Sequence, residues 1–254
     1  MRAAFLLLLG LLASCRAPVA GPAIVAGDPV EGRRVATRVG CFGCHGDKLQ
    51  GKELWGEPKR FQIHSANITV KRALYDDAGF ERLLRTGRTH DGHRALGMPI
   101  LMYQHLSDRE VRDIVALVRS LPAVANPDLK KTWMIDAVRR EQEGYGDDQG
   151  DPVAVHAPTA PPVAGVELGR HLARTSCPEC HGPDLNGFDG DDAPSLVVAK
   201  GYSAEQFRRL MRTGITAQGG ESKTGLMSSV ARTRIAPTLS DDEITALKAF
   251  LDSR

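Results

Sequence analysis

Apolar positions along this chain fall into short stretches of helical period, separated by polar breaks rich in Gly and Pro. Val111, Ile114, Val115 and Val118 share one helix face, as do Ile244, Leu247 and Leu251. Ser107 with Glu110 and Ser240 with Glu243 stand where capping boxes would open those two helices. Ser203 with Gln206 opens another, closed by Gly214; the stretch from Phe80 to Thr86, closed by Gly87, is its counterpart. Asp28, Pro29 and Glu31 form a third kind of start, an N-cap followed by proline in the first turn. Asn126 and Pro127 predict a further helix carrying Leu129, Trp133 and Val138, and Gly144 to Gly165 reads as an extended linker. The expected fold class is all-α.

The pattern occurs twice. A shift of 136 carries Val30 and Glu31 onto Val166 and Glu167, and Cys41, Cys44, His45, Gly46, Leu49 and Gly51 onto Cys177, Cys180, His181, Gly182, Leu185 and Gly187. Phe80 to Gly87 then matches Phe207 to Gly214, and Leu106 to Asp108 matches Leu239 to Asp241. Intervening lengths differ, so the repeat is a duplicated domain rather than a solenoid. The expected division is a leader over 1–14, a tether over 15–27, one domain over 28–125, helix plus Pro/Gly-rich linker over 126–163, and a second domain over 164–254. Each domain is long enough for one modest core. With aromatics at only 5% of the chain, a bound apolar group would supply bulk that the side chains lack.

Four of the five cysteines lie in two CxxCH motifs, Cys41–Cys44–His45 and Cys177–Cys180–His181. Two thiols at that spacing can add to the two vinyl groups of one porphyrin while the adjacent imidazole reaches the iron, so each motif predicts a covalently attached haem c. A zinc site would favour two CxxC pairs converging on one ion, and a thioredoxin-like pair needs no histidine after its second cysteine. Neither explains the repeated His placement.

The opposite face of each iron decides between carrier and catalyst. After His181 the sequence holds no histidine up to residue 254, which leaves Met211 and Met227. Met211 aligns with Leu84 on a core-facing helix position, so Met227 is the expected ligand of the second iron. In the first half Met98, between Gly97 and Pro99, can be presented from an extended loop. Met102, His64, His90, His93 and His105 compete with it. Met98 is preferred because it holds the same place as Met227 between the middle and last helices. The expected metal ligands are therefore His45 with Met98 and His181 with Met227.

The fifth cysteine bears on location. Met1 and Arg2 precede an apolar run from Ala3 to Leu12, too short to span a bilayer as a helix, and then Leu12, Ala13, Ser14, Cys15. This resembles the lipobox of bacterial lipoproteins, which implies export, cleavage before Cys15 and a diacylglycerol on its sulfur; Arg16 after it implies the outer membrane in a Gram-negative host. Export also fits covalent haem attachment, because c-type cytochromes, which the CxxCH motifs resemble, are matured outside the cytoplasm in bacteria.

Together the CxxCHG motifs followed by Leu and Gly, the Ala66–Asn67–Ile68–Thr69 segment, Met98–Pro99 and the Leu106–Ser107–Asp108 helix start resemble a dihaem class I cytochrome c. The chain is similar in this to haem subunits of bacterial membrane-associated dehydrogenases and respiratory chains. The resemblance implies electron transfer between a protein donor and a protein acceptor in the periplasm, with no catalytic residue and no nucleic acid. Residues 16–126 carry 17 Lys and Arg against 12 Asp and Glu, and residues 164–254 carry 11 against 12. An acidic partner would thus be steered to the first domain. Two rivals remain at this stage: a dihaem oxidoreductase, peroxidase-like or acting on sulfur compounds, with one open iron, and a haem-based sensor lipoprotein.

Overall fold

A computed structural model describes residues 26–145, 157–188 and 193–254. The leader, Cys15 and residues 146–156 of the linker lie outside the described residues. Helices dominate. In the first half they are α1 (Pro29–Arg38), α2 (Cys41–His45), α3 (Ile68–Lys71), α4 (Asp77–Thr86), α5 (Ile100–Tyr103) and α6 (Asp108–Ser120). Helix α7 (Asp136–Tyr145) follows, then α8 (Gly165–Ser176), α9 (Pro178–His181), α10 (Ala204–Thr213), α11 (Leu226–Val230) and α12 (Asp241–Asp252). No helix among the described residues is long and apolar enough to cross a membrane.

Local sequence explains the helix ends. Asp28 accepts from the Val30 amide at the start of α1, and Ser107, Ser203 and Ser240 each form a reciprocal capping box. Gly87 and Gly214 adopt left-handed backbone, φ +69° and +75°, and end α4 and α10. The apolar faces predicted for α6 and α12 are buried.

Buried apolar side chains gather in two separate clusters. One takes Val35, Phe80, Leu84, Met102, Leu106, Val111, Ile114 and Val118; the other takes Leu168, Phe207, Met211, Leu239, Ile244, Leu247 and Leu251. In each, the first helix crosses the last at a glycine. A Cβ on Gly32 would lie 1.9 Å from the Asp113 carbonyl oxygen, and one on Gly169 would lie 1.9 Å from that of Ala246. Asp113 and Ala246 stand at the same distance past their capping serines, so Gly32 is the counterpart of Gly169, a shift of 137. The match of Val30–Glu31 to Val166–Glu167 is therefore one residue out of register. The first half absorbs the extra residue at Gly40, whose φ of +88° turns the chain between α1 and α2, whereas α8 runs on to Cys177.

The helical expectation holds with one addition and one correction. The first half also contains a small antiparallel sheet, β1 (Glu53–Glu57), β2 (Phe61–His64) and β3 (Trp133–Met134), in the order β1-β2-β3. The helix expected to start at Asn126 and carry Trp133 starts instead at Asp136, because the Asn126 amide donates to the carbonyls of Gln50 and Gly51 and Trp133 pairs with Gln62. Val138 is buried on α7 as the pattern required.

The halves meet reciprocally. Arg34, two residues past Gly32, donates to Glu243 of the far capping box (3.2 Å); His171, two past Gly169, donates to Glu110 of the other (2.9 Å). Arg38 and Thr175, each six past its glycine, bond to one another at 3.0 Å. Such mutual pairing is the mark of a two-fold-like contact.

Candidate haem sites

Each CxxCH segment forms a single helical turn, which puts residues i, i+3 and i+4 on one face: Cys41, Cys44 and His45 in α2, and Cys177, Cys180 and His181 around α9. The four thiols are joined in no disulfide. Glycines at φ +81° and +76°, Gly46 and Gly182, stop both turns. Beyond them the backbone repeats in detail. Leu49 and Leu185 take left-handed backbone, the Gly51 amide donates to the His45 carbonyl and that of Gly187 to the His181 carbonyl, both at 2.8 Å.

The imidazoles are fixed by backbone carbonyls. His45 Nδ1–H donates to Ala66 O at 2.8 Å and His181 Nδ1–H to Pro194 O at 2.7 Å. A carbonyl only accepts, so the proton is on Nδ1 and Nε2 keeps its lone pair for a metal. Burial lowers both histidine pKa values, against the carbonyl bond that raises them, and favours the neutral imidazole a metal requires. The first thiols behave differently from a redox pair. Burial, with the neighbouring cysteine, pushes Cys41 and Cys177 up to about 12. An activated thioredoxin-like cysteine has a depressed value.

Met98 follows Gly97, which has φ +69° and the Trp55 ring against its α-carbon, and precedes Pro99 at the start of α5. It is partly buried at the edge of the first core, whereas Met102 is wholly buried within it. Met227 is partly buried at the edge of the second core, while Met211 is buried inside it. Unlike Met98, Met227 sits in the first turn of a short helix, α11, entered through left-handed Gly225. The loop is pinned by the next residue: Ser228 Oγ donates to the Gly214 carbonyl at 2.6 Å. In the first half the Ala95 amide makes the corresponding bond to Gly87 O at 2.8 Å.

Of the competing histidines, His93 is exposed and His64 keeps its Nδ1 buried without a hydrogen-bond partner. His64 is buried on β2 facing Glu53, His90 packs edge-on against Tyr75, and His105 lies beside Arg174 and His171, where burial and those neighbours lower it to about 4. Among the described residues no three His, Cys, Asp or Glu side chains converge to hold a bare ion. Sequence reasoning named Ala66 only within the resemblance motif, without its role, and missed Pro194 and Ser228; these act through backbone carbonyls or position a neighbour. It also missed Arg234, whose guanidinium holds Glu179 of the second motif at 2.6 Å and lies against Gly40 and Gly43 of the first.

These side chains suit haem c: paired thiols, an oriented imidazole on the same face, and a thioether at the edge of the adjoining core. Comparison with known families agrees in the second half, where a cytochrome c sequence model matches residues 166–254. That match supports a haem c-binding, electron-transferring cytochrome c domain over those residues. No match was found among curated proteins.

Proposed function

We propose that the chain is an exported dihaem electron carrier built from two cytochrome c domains. The carrying observation is that the first half repeats the local geometry of the half matched to cytochrome c: the same one-turn helix, the same left-handed Gly and Leu, and the same Nδ1-to-carbonyl bond. Cys41 and Cys44 would hold one haem and Cys177 and Cys180 the other. His45 with Met98, and His181 with Met227, are the side chains that would bind the irons.

When bound, each haem supplies a one-electron Fe(III)/Fe(II) couple. The protein contributes orientation through Ala66 and Pro194, a thioether that favours the reduced metal, and apolar cores that exclude water. The partners are soluble or membrane-bound redox proteins, with an acidic one docking at the basic first domain. The tether at Cys15 holds the chain to a membrane facing the periplasm.

Intact mass of the matured protein tests all of this together. Two haem additions and a diacylglyceryl Cys15 are expected, with Cys44→Ala losing one haem and Cys180→Ala the other. A mature chain with one haem overturns the dihaem reading; an unmodified Cys15 overturns the anchor. Carbon monoxide bound stoichiometrically by the ferrous wild type would favour an oxidoreductase with an open iron.

A further inference from the structure

We infer that Arg234 and Glu179 form a neutralising pair shared by the two haem-attachment segments, through which a residue of the second motif adjusts the potential of the first iron. This rests on the dihaem reading above.

Glu179 lies between Cys177 and Cys180, inside the second motif. Its carboxylate accepts from Arg234 of the π turn Ala231–Ile235, also in the second half, at 2.6 Å. The guanidinium then reaches across to the first half. Cβ atoms on Gly40 and Gly43 would lie 2.6 and 3.2 Å from it, so it rests against the backbone of the first attachment segment at positions where a side chain would displace it. Gly43 stands between Cys41 and Cys44. The ion pair thus bridges both CxxCH segments.

Its charges are poorly screened. The side chains keep only 19% and 31% of their exposure, so neighbouring charge acts through protein more than through salt water. Gly40 and Gly43, which the guanidinium contacts, flank Cys41, so the cation of the pair lies directly against the first attachment segment and its carboxylate partner one ion-pair length further back. Paired, each charge offsets part of the other's field at the first site. Removing either exposes the other. A bare cation beside an iron favours Fe(II) and raises its potential; a bare anion favours Fe(III) and lowers it.

The pair therefore predicts shifts of opposite sign from substitutions at opposite ends of one contact. Spectroelectrochemical titration of the holoprotein reads both irons, and Cys44→Ala identifies the second iron as the wave that remains. Arg234→Gln should lower the first iron's potential and Glu179→Gln should raise it, with Arg234→Lys close to wild type. The double variant Arg234→Gln/Glu179→Gln should return the first iron toward wild type. A merely structural contact would loosen the junction from either end and shift the potential in one direction. With two haems present, shifts of the same sign, or none, overturn the inference. One haem per chain overturns the dihaem reading and this inference with it.

Discussion

Met211 and Met227 differ in their surroundings, and the difference favours Met227 as the proposed partner of His181. Met211 lies inside the second core with Phe207 and Leu210, on the buried face of α10. Met227 sits at that core's edge, on a turn held by Ser228 and Gly214. Met227→Ala is expected to open the second iron to water or carbon monoxide, and Met227→His to keep it low-spin at a lower potential, because imidazole stabilises Fe(III) relative to thioether. Met211→Leu, a near-isosteric core change, should cost less than about 1.5 kcal/mol and leave the haem spectrum unaltered. If Met211→Leu opens the iron and Met227→Ala does not, the ligand assignment fails. The two methionines could be separated in the sequence because one shares helical period with Phe207 and the other does not. Ala66 and Pro194 could not be found that way, since a carbonyl oxygen that orients an imidazole belongs to the backbone and leaves no trace in residue type.

Helix ends were legible because each rests on chemistry within four residues: Ser with Glu or Gln, Asp before Pro, glycine after the last turn. Helix crossings were not. The shift of 136 read from the cysteines is right for the motifs and one residue short for the helices before them, since a single left-handed glycine, Gly40, absorbs the difference. The sheet was half legible: Phe61, Gln62, Ile63 and His64 alternate apolar and polar residues, the strand signature, but the third strand comes from 69 residues beyond the end of β2. The crossings make a test at this scale. A methyl group at Gly32 or Gly169 would meet backbone 1.9 Å away, which no side-chain rotation relieves, so the helices must separate. Gly32→Ala and Gly169→Ala should each lose about 1–3 kcal/mol of stability or more, read from urea midpoints at constant slope. Gly201→Ala, where the new methyl meets nothing within 4 Å, should stay within about 0.5 kcal/mol of wild type. Equal losses at all three positions would show that the crossings carry no special constraint.

Across the whole molecule, the junction of the halves is closed by charges that are individually costly to bury. Glu110 is 5% exposed and Arg38 3%, with Arg38 donating to Glu110 at 2.5 Å and His171 donating from the other half at 2.9 Å. His105 and Arg174 add positive or polarisable groups nearby. Burial alone would push the Glu110 carboxyl up, but the His171 hydrogen bond, the Arg38 charge and the Ser107 amide outweigh it and hold the group down at about 2. Glu110 therefore joins three functions in one side chain: it caps α6, neutralises α1 and receives α8. Only the first was visible in the sequence, because capping is local and the other two need the halves already assembled. A depressed carboxyl pKa stabilises the fold above the group's ordinary value, near 4.5, and that contribution disappears as the pH falls to about 2. The shift corresponds to about 3 kcal/mol at neutral pH. Glu110→Gln keeps the shape but leaves Arg38 buried without its counter-charge, at an expected cost of about 3–5 kcal/mol at pH 7. Thermal unfolding of both proteins from pH 7 to pH 2 should show that gap narrowing below pH 4.5 and nearly closed at pH 2. A gap that stays constant with pH would mean that Glu110 contributes shape alone, and that the buried charge does not hold the halves together.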